Sequence, residues 1–506
     1  MKSDSSLFQK ILIANRGEIA VRVIKTCKAM GIPTLAVYSE IDRTSLHVQL
    51  ADDAALLGPS PPLESYLNID KIIEVAHQHG ADAVHPGYGF LAENAGFARR
   101  CAEAGLTFIG PSPEAISLLG NKVESRKVML EAKVPCTPGF EIVGMSIKDI
   151  RKGAEEIGYP ILIKAAAGSG GKGMRVVQNP DDLEKSIEGA QRESKSAFAD
   201  DTVYVEKYVE KSRHIEFQIL ADQHGNVIHL CERECSIQRR HQKVVEETPS
   251  TAITPEIRRQ MGKTAIGVAK ASGYTNAGTV EFLYAGEGQY YFLEVNTRLQ
   301  VEHPVTEETL GIDLVEEQIR VAAGEKLRIK QEDVIQRGHA IEVRIYAEEP
   351  GNNFMPSSGK IIYMKEPAGP GIRHDCGVYS GWTVPTNYDP ILSKLIAWGP
   401  DREASINRLV KALNDFPVLG ISTTVEFLAH VLQHEAFGSG DTYTDFIDLY
   451  FPGGKMPEEK TENLELALAA AAIADSTGEA AAVVSGGKTA GYDVWSAVGN
   501  WELGRG

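Results

Sequence analysis

The chain has 506 residues, with 52 Lys and Arg against 69 Asp and Glu, so its formal net charge is −17 at pH 7. This acidic balance argues against a nucleic-acid-binding protein, because neutralising phosphates requires clustered cations. No apolar run approaches the roughly 18 residues that span a bilayer, no secretory signal is visible, and six scattered cysteines favour reduced thiols, so we expect a cytoplasmic protein. The length predicts roughly three to four domains or subdomains.

Short apolar strands alternate with helical patterns at the start of the chain. Lys10 to Ala14, Pro33 to Tyr38 and Ala81 to His85 have the pattern of strands, and Glu18 to Met30 has the pattern of a helix. Strands that alternate with helices favour a parallel sheet. Residues 1–118 therefore predict a Rossmann-like amino-terminal domain of the α/β class.

The rest of the chain divides by pattern and composition. A helical stretch from Pro113 to Ala132 ends at the proline-rich segment Val134 to Pro138. Mixed strands and helices follow, then a β-rich part, then a segment rich in Ala, Glu and Gly that is typical of a linker or a loosely held helix. The predicted units are a helical linker (residues 119–138), a small αβ unit (139–205), a mixed core (206–338), a β-rich carboxyl-terminal domain (339–455) and a tail (456–506).

A glycine-rich segment, Gly168 to Gly173, matches the G-x-G-x-x-G dinucleotide fingerprint. That fingerprint must open a helix, whereas the residues that follow, Met174 to Gln178, favour a strand. A strand on each side of a glycine loop predicts a flap whose backbone N–H groups approach phosphate oxygens. An ordinary glycine-rich hairpin is the alternative. Lys164 weighs against it, because an ammonium at the end of an apolar strand requires an anionic partner.

Polar and apolar residues alternate strictly from Leu293 to Glu302. Residues two apart share a face of an extended strand, so this segment predicts a row of acid, amide, cation, amide and acid. A half-buried strand with a solvated face is the alternative. The preceding strand, Gly278 to Tyr284, would form a hairpin with it and bring Glu281 beside Glu294 and Asn296. Two carboxylates and an amide oxygen suit Mg²⁺, which indicates a site for a nucleoside triphosphate.

A basic cluster, Gln238 to Lys243, lies among acidic residues. Taken alone, it is equally consistent with a solvated surface turn. Beside a magnesium–nucleotide site, it would supply cations for a small anion and hydrogen-bond donors for the nucleotide.

Several longer motifs carry a family resemblance. Cys235 to Glu247 and Glu294 to Pro304 resemble the signatures of biotin carboxylases, and further similarity lies in Ile13 to Ile19, His85 to Asn94 and Arg337 to Arg344. The resemblance covers about residues 8–452. It implies an ATP-grasp fold with a mobile lid, preceded by the parallel-sheet domain and followed by a β-rich carboxyl-terminal domain.

Carried over to matching positions, the resemblance implies roles for individual residues. ATP would contact Lys122, Lys164, Gly170, Gly171, His214 and His241 through its phosphates or ribose, Glu206, Lys207, Val209 and Gln238 near the adenine, and Leu283. Mg²⁺ or Mn²⁺ would be held by Glu281, Glu294 and Asn296. Bicarbonate would be bound by Lys243, Arg298, Gln300 and Val301, Glu302 would be its general base, and Arg344 would contact biotin or phosphate.

The implied reaction is ATP-dependent carboxylation of biotin by bicarbonate through carboxyphosphate, the first half-reaction of a biotin-dependent acyl-CoA carboxylase. The implied partners are a separate biotin carboxyl carrier protein, carboxyltransferase subunits and a second copy of the chain in a dimer, in the setting of acetyl-CoA carboxylase and fatty acid biosynthesis. Lys455 has no methionine before it, and Pro457 follows closely, so we expect no biotin on this chain. Two alternatives remain open: another ATP-grasp carboxylate ligase, and a non-enzymatic nucleotide-binding subunit.

Overall fold

A computed structural model describes residues 7–165, 174–198, 201–240, 242–457, 466, 468–470 and 472–473. The chain divides into two units, Met1–Lys455 and Met456–Gly506. In the second unit, the described residues 466, 468–470 and 472–473 are helical. Among the described residues, no helix is both long enough and apolar enough to cross a membrane.

The amino-terminal domain is built on a five-stranded parallel sheet. Its elements are β1 (Ile11–Ile13), α1 (Gly17–Ala29), β2 (Thr34–Ser39), α2 (Leu46–Leu50), β3 (Asp53–Gly58), α3 (Ile69–Gln78), β4 (Ala83–His85), α4 (Ala95–Glu103) and β5 (Thr107–Phe108). The strand order is β3-β2-β1-β4-β5, and the central strand β1 is apolar and fully buried. The predicted Rossmann-like sheet is confirmed, and β3 is a strand that the sequence pattern did not indicate.

Two helices, α5 (Pro113–Gly120) and α6 (Lys122–Glu131), lead out of this domain. The sequence predicts a helical stretch here, and the structure divides it into two helices at Asn121. The Asn121 side chain accepts hydrogen bonds from the backbone N–H groups of Val123 and Glu124, at 3.0 and 3.1 Å. Asn is a strong N-cap residue, so α6 starts afresh and presents Lys122 at its first position.

A small αβ unit follows, which we call the lid subdomain. Its elements are β6 (Gly139–Glu141), α7 (Ile147–Ile157), β7 (Ile161–Ala165), β8 (Arg175–Val177), α8 (Leu183–Phe198) and β9 (Val203–Lys207). The sheet order is β6-β9-β7-β8, and β7 and β8 are antiparallel neighbours on either side of the glycine-rich segment. The strands expected on either side of the glycine-rich segment are therefore present, and the segment itself lies outside the described residues. The two helices close over an apolar core that includes Ile150, Ile161, Ile163, Ile187 and Val205.

The following part of the chain supplies five long antiparallel strands. Its elements are β10 (Arg213–Ala221), β11 (Val227–Arg239), β12 (Gln242–Thr248), α9 (Pro255–Ala271), β13 (Asn276–Gly286), β14 (Gln289–Asn296), α10 (His303–Leu310) and α11 (Leu314–Ala322). On one face, Phe217 of β10 and Phe282 of β13 pack in a core with Met261 and Val268 of α9. Burial of each such side chain stabilises the fold by about 1.5–3 kcal/mol.

Successive side chains of a strand point to opposite faces, so the residues between the apolar ones lie on the other face of this sheet. In β10, the polar residues that alternate with Ile215, Phe217 and Ile219 therefore point to the opposite face. The candidate site is built on that face. These residues are His214, Glu216 and Gln218, all buried.

The carboxyl-terminal part continues the same sheet. Its elements are β15 (His339–Tyr346), β16 (Glu348–Glu349), β17 (Met355–Pro356), β18 (Gly359–Lys360), β19 (Tyr363–Met364), β20 (Ile372–Cys376), β21 (Thr383–Val384), β22 (Ile391–Gly399), α12 (Arg402–Asn414), β23 (Val418–Leu419), α13 (Val425–Gln433), α14 (Glu435–Gly438) and α15 (Phe446–Tyr450). The eight-stranded order is β14-β13-β10-β11-β12-β15-β22-β20. Strands from residues 339–399 thus stand directly beside the predicted site, and the expected β-rich carboxyl-terminal region is confirmed.

Candidate functional site

The hairpin of β13 and β14 brings the predicted metal ligands together. Its two turn residues, Glu287 and Gly288, have φ angles of 51° and 81°. Positive φ at both positions belongs to the type I′ turn, which suits the twist of a tight hairpin. The register pairs Glu281 with Glu294. Asn296 Nδ2 donates to Glu281 Oε1 over 2.8 Å, so two carboxylates and an amide lie side by side.

The strand predicted over Leu293 to Glu302 ends early. β14 stops at Asn296, and the residues before α10 form a turn. The backbone N–H of Thr297 donates to Glu93 Oε1 over 3.0 Å, and Arg298 Nε donates to the second oxygen of the same carboxylate over 3.0 Å. The predicted strand is therefore wrong beyond Asn296, because a carboxylate from the amino-terminal domain takes the hydrogen bonds.

The turn nevertheless gathers side chains from the predicted polar face. Arg298 Nη1 donates to Gln300 Oε1 over 2.7 Å, and Arg298 Nη2 donates to Asn296 Oδ1 over 3.2 Å. Gln300 Nε2 in turn donates to Glu281 Oε1 over 3.2 Å. The turn is thus tied to the hairpin, and a guanidinium and an amide lie beside its carboxylates.

Lys243 on β12 is the centre of the site. Its Nζ donates to Glu281 Oε1 over 2.8 Å, to Glu302 Oε1 over 2.7 Å and to Glu216. Burial acts to lower the pKa of Lys243, but the three carboxylates outweigh it, and the pKa lies well above its ordinary value. Lys243 is therefore a fixed positive charge that links the metal hairpin to the turn.

Glu302 caps the start of α10 and is fully buried between two cations. One oxygen accepts from Lys243, and the other accepts from Arg344 Nη2 over 2.9 Å. Burial acts to raise the pKa of Glu302, but Lys243, Arg344 and Arg233 outweigh it, and the pKa falls below its ordinary value. Glu302 is thus held ionised and oriented, with a free lone pair available to take a proton.

A second layer, which the sequence did not indicate, supports Lys243 from below. Arg233 on β11 is fully buried, and its Nε donates to Glu216 Oε1 over 2.5 Å. The same guanidinium donates to Gln218 Oε1 over 2.8 Å and Thr306 Oγ1 over 3.0 Å. These groups are far apart in sequence, so only the folded sheet reveals them. The available signal was that Glu216 alternates with the apolar residues Ile215, Phe217 and Ile219.

Lys394 on β22 is another side chain that sequence reasoning missed. It is fully buried, and its Nζ donates to the backbone carbonyl of Val301 over 2.6 Å. The carboxyl-terminal domain thereby holds the predicted bicarbonate turn from behind. A lysine inside the apolar strand Ile391–Gly399 was a usable signal, because it is the same pattern that drew attention to Lys164.

His214 and Gln238 lie on the side of the hairpin away from the turn. Gln238 Nε2 contacts His214 Nδ1 at 3.1 Å, and His214 Nε2 lies 3.1 Å from Glu281 Oε2. The imidazole therefore joins a predicted metal ligand to the strand that carries the basic cluster. Leu283 faces His214 across the β10–β13 pair.

The lid subdomain supplies the anionic partner that Lys164 requires. Lys164 forms a buried ion pair with Glu206, whose Oε2 also accepts from Thr137 Oγ1 over 2.9 Å. An internal carboxylate therefore satisfies this ammonium, and its burial alone does not indicate a phosphate. Lys207 Nζ donates to the backbone carbonyls of Gly158 and Tyr159 at 3.0 and 3.1 Å, which joins β9 to the start of β7.

Of the remaining predicted ATP contacts, Lys122 and Val209 are among the described residues. Lys122 Nζ at the start of α6 lies 3.7 Å from Glu294 Oε2, and half-buried Val209 follows β9. Gly170, Gly171 and His241 lie outside the described residues, so their placement stays a prediction.

The donor set at the hairpin fits a hard divalent cation. Glu281, Glu294 and Asn296 offer carboxylate and amide oxygens, which Mg²⁺ and Mn²⁺ prefer. Two overlapping groups also bring ligand atoms within 4.8 Å of one another: His214, Glu216 and Glu281, and Glu216, Cys235 and Glu302. Burial raises the pKa of the Cys235 thiol well above its ordinary value, so Cys235 stays protonated and the second group is a poor metal site.

Comparison with protein families accounts for most of the chain. The model for the biotin carboxylase N-terminal domain matches residues 7–116. The model for the carbamoyl-phosphate synthase L chain ATP-binding domain matches residues 121–330, and the model for the biotin carboxylase C-terminal domain matches residues 342–449.

Individual proteins give the same picture. The chain is 52% identical over 445 residues to biotin carboxylase 1 of Bacillus subtilis, covering 88% of this chain and 99% of the relative. It is 51% identical over 440 residues to the biotin carboxylase of a Nostoc species, covering 87% and 98%. The crystal structure of the biotin carboxylase domain dimer of Hydrogenobacter thermophilus 2-oxoglutarate carboxylase, in complex with MgADP, ADP and bicarbonate, matches with a TM-score of 0.85 and 46% identity, covering 89% of this chain and 99% of that one.

Proposed function

The chain belongs to the biotin carboxylase family, and on that basis we propose how its residues divide the ATP-dependent carboxylation of biotin among them. Bicarbonate attacks the γ-phosphate of ATP, and the resulting carboxyphosphate supplies CO₂ to biotin. The observation that carries the assignment is the ionised Glu302 carboxylate, fixed between Lys243 and Arg344 next to the Glu281–Asn296 hairpin. A chain that only bound nucleotide would have no need of a buried, oriented base there.

The first step joins bicarbonate to phosphate. Lys243 and Arg298 neutralise the anion, with Gln300 and the backbone of Val301 as further contacts. Glu302 takes the proton from the bicarbonate hydroxyl as its oxygen attacks phosphorus, and ADP leaves. Because Glu302 is buried between fixed charges, little reorganisation is needed as charge moves.

The second step transfers CO₂. Carboxyphosphate separates into CO₂ and phosphate, phosphate takes the N1 proton of biotin, and the biotin anion attacks CO₂. Arg344 and Arg298 stabilise the negative charge that develops on biotin or phosphate, because a guanidinium stays protonated and offers several donors in one plane.

ATP is held by both sides of the cleft. Its phosphates or ribose contact Lys122, Lys164 and His214, together with Gly170 and Gly171 of the glycine-rich segment and His241 of the basic cluster. Glu206, Lys207, Val209, Gln238 and Leu283 complete the nucleotide site. When Mg²⁺ or Mn²⁺ is bound, it neutralises charge on the transferring phosphoryl group, and Glu281, Glu294 and Asn296 are the residues that would hold it.

The domain boundaries that we propose are residues 1–118, a linker to 138, the small αβ unit 139–205, whose last strand β9 runs on to Lys207, the catalytic core 206–338, the carboxyl-terminal domain 339–455 and the tail 456–506. The partners we propose are a biotin carboxyl carrier protein, carboxyltransferase subunits and a second copy of this chain. All six cysteines are free thiols, which supports a reducing compartment such as the cytoplasm.

The test is ATP cleavage with purified chain, measured with and without bicarbonate and free biotin. We expect cleavage to depend on bicarbonate and free biotin to become carboxylated. A different ATP-grasp ligase would cleave ATP without bicarbonate once given its own acceptor, and a nucleotide-binding subunit would cleave none. The exposed Glu188→Gln variant of the lid subdomain serves as a control that leaves the site intact.

A further inference from the structure

Two buried carboxylates face each other behind the catalytic turn. The antiparallel register of β12 and β15 places Glu246 directly opposite Glu342. Both side chains are completely buried. Neither belongs to the set of residues that the proposed reaction uses, so their position needs a separate explanation.

Three of their four oxygens have no hydrogen-bond partner among the described residues: both oxygens of Glu342 and Oε2 of Glu246. The fourth, Glu246 Oε1, accepts from Arg344 Nε over 2.6 Å. The same guanidinium donates through Nη2 to Glu302 Oε2 over 2.9 Å. Arg344 is therefore a bridge with the catalytic base on one side and the acid pair on the other.

Two ionised carboxylates cannot both be accommodated in this position, since like charges directly opposite one another in a sheet repel and burial removes the water that would screen them. Burial raises the pKa of Glu342 well above its ordinary value, with Glu246 adding to the shift. Burial also raises the pKa of Glu246 to about 7, although Arg344 opposes the change. Protonation of one of the two carboxylates removes the conflict.

We propose that Glu246 and Glu342 form an acid pair that carries one proton at neutral pH, on Glu342, and that the remaining charge on Glu246 holds Arg344 against Glu302. Glu246 is a positioning residue, and Glu342 carries the proton that leaves Glu246 as the only charge of the pair; neither touches a substrate in the proposed reaction. The role of Arg344 rests on the proposed function, whereas the proton on the pair does not.

The charged groups around Glu342 agree with this arrangement. Besides Glu246, they are Arg344 on its own strand, Lys394 on β22 and Glu302 ahead of α10. Lys243 of β12 acts on Glu246. Helix α10 adds His303, which is buried and has a pKa lowered well below its ordinary value by burial and by Lys394, so it brings no charge.

On the opposite face of β12 and β15, the charged side chains pair with one another and not with Glu342. There Arg402 of α12 pairs with Glu247 through its Nε, 2.7 Å from Oε2, and His339 Nε2 contacts the same oxygen over 2.7 Å. Glu426 and His430 of α13 form only a loose pair at 3.9 Å, with Glu426 mostly exposed. No described group on these helices supplies a cation to Glu342 itself.

The decisive variant is Glu342→Gln, which keeps the shape and replaces a protonated carboxyl group by a neutral amide. In the wild type, the pKa of Glu342 is higher in the folded than in the unfolded chain. Its contribution to stability is therefore complete below the unfolded pKa and is lost as pH rises toward the folded pKa. The glutamine of the variant does not titrate, so its contribution to stability does not change over that pH range. The melting temperature of Glu342→Gln should rise relative to wild type between pH 5 and pH 8, with kcat at pH 7 within about twofold.

The exposed Glu349→Gln variant on β16 is the matched control, and its melting temperature should keep a constant offset from wild type over the same pH range. A constant offset for Glu342→Gln would overturn the one-proton pair, as would a large loss of activity at pH 7. Because this measurement needs no substrate, it succeeds or fails independently of the proposed reaction.

The positioning role is tested by Glu246→Gln, which removes the charge that faces Arg344. We expect kcat for bicarbonate-dependent ATP cleavage to fall about tenfold or more, with the KM for ATP unchanged, because a small displacement of a catalytic group is costly. Glu246→Asp, which retains the charge, should recover part of the loss. Wild-type kcat in Glu246→Gln would overturn the positioning role, as would equal losses in the Gln and Asp variants.

Discussion

The lid subdomain and the eight-stranded sheet both carry many charged residues, but they place them differently. In the lid subdomain, Arg175 pairs with Glu193 at 3.4 Å with both side chains nearly half exposed, and Lys195 pairs with Asp201 at 3.1 Å on the surface. In the sheet, the Arg233–Glu216 pair is completely buried. Lys243, Glu302 and Arg344 extend it into one continuous network.

The difference separates two uses of charge. Exposed pairs contribute only about 0–1 kcal/mol each, so the lid subdomain depends for its stability on its apolar core. Buried charges are costly to desolvate, and a network of them is retained where fixed electrostatics serve a reaction. The Lys164–Glu206 pair is the exception, since it is buried within the lid subdomain at the strand that leads into the glycine loop.

The largest effect is expected from Arg233→Met. This change leaves Glu216 buried without one of its two cations, so it should destabilise the fold by about 3–5 kcal/mol. Chemical denaturation followed by intrinsic fluorescence measures the loss. Arg192→Met, on the exposed face of α8, is the same substitution at a surface pair and should shift the midpoint little. Equal midpoints for the two variants would show that buried charge pairs in the sheet and exposed pairs in the lid subdomain contribute equally to stability.

Glu302→Gln should come next, with catalysis rather than folding affected. Glutamine keeps the shape but cannot accept a proton, so bicarbonate-dependent ATP cleavage should fall about 100-fold or more, which corresponds to about 2.7 kcal/mol. ATP binding measured by calorimetry should persist. Glu193→Gln on the lid subdomain is the control. Turnover near the wild-type rate would show that Glu302 is not the base.

Glu294→Ala distinguishes a metal ligand from a solvated strand residue. Loss of an outer partner typically costs metal sites about 10–100-fold in affinity, so loss of a direct ligand should raise the Mg²⁺ concentration for half-maximal activity at least about tenfold. Gln289→Ala, an exposed change on the same strand, should leave the Mg²⁺ titration unchanged. A wild-type titration for Glu294→Ala would contradict the metal assignment.

The smallest effect is expected from Arg175→Ala in the lid subdomain. Its partner Glu193 is exposed, so the stability should change by no more than about 0.5 kcal/mol. Denaturation midpoints at low and high salt measure the change, and salt should remove what little remains. A loss comparable to that of Arg233→Met would mean that this surface pair holds the lid subdomain together.

The sequence indicated those parts of the fold and site whose signal is local. The parallel sheet follows from alternating strands and helices, and the meeting of Glu281 with Glu294 and Asn296 follows from a hairpin with a short turn. The alternation of polar and apolar residues from Leu293 to Glu302 also predicted that Arg298 and Glu302 lie on the same face as Glu294 and Asn296, although the strand itself ends at Asn296.

What the sequence could not indicate depends on contacts between distant segments. Nothing near Thr297 shows that Glu93, 204 residues away, will take its N–H and end the strand. Lys164 pointed to an outside anion because the local pattern does not contain Glu206. The pairing of Glu246 with Glu342 exists only once β12 and β15 become neighbours in the sheet.

The contact of Lys394 with the Val301 carbonyl has a consequence for biosynthesis. All residues of the β13–β14 hairpin are translated by Asn296, but two residues that hold Glu302 and the turn before α10, Arg344 and Lys394, are translated later. A polypeptide that ends before β15 therefore contains every residue of the hairpin but lacks both of these contacts.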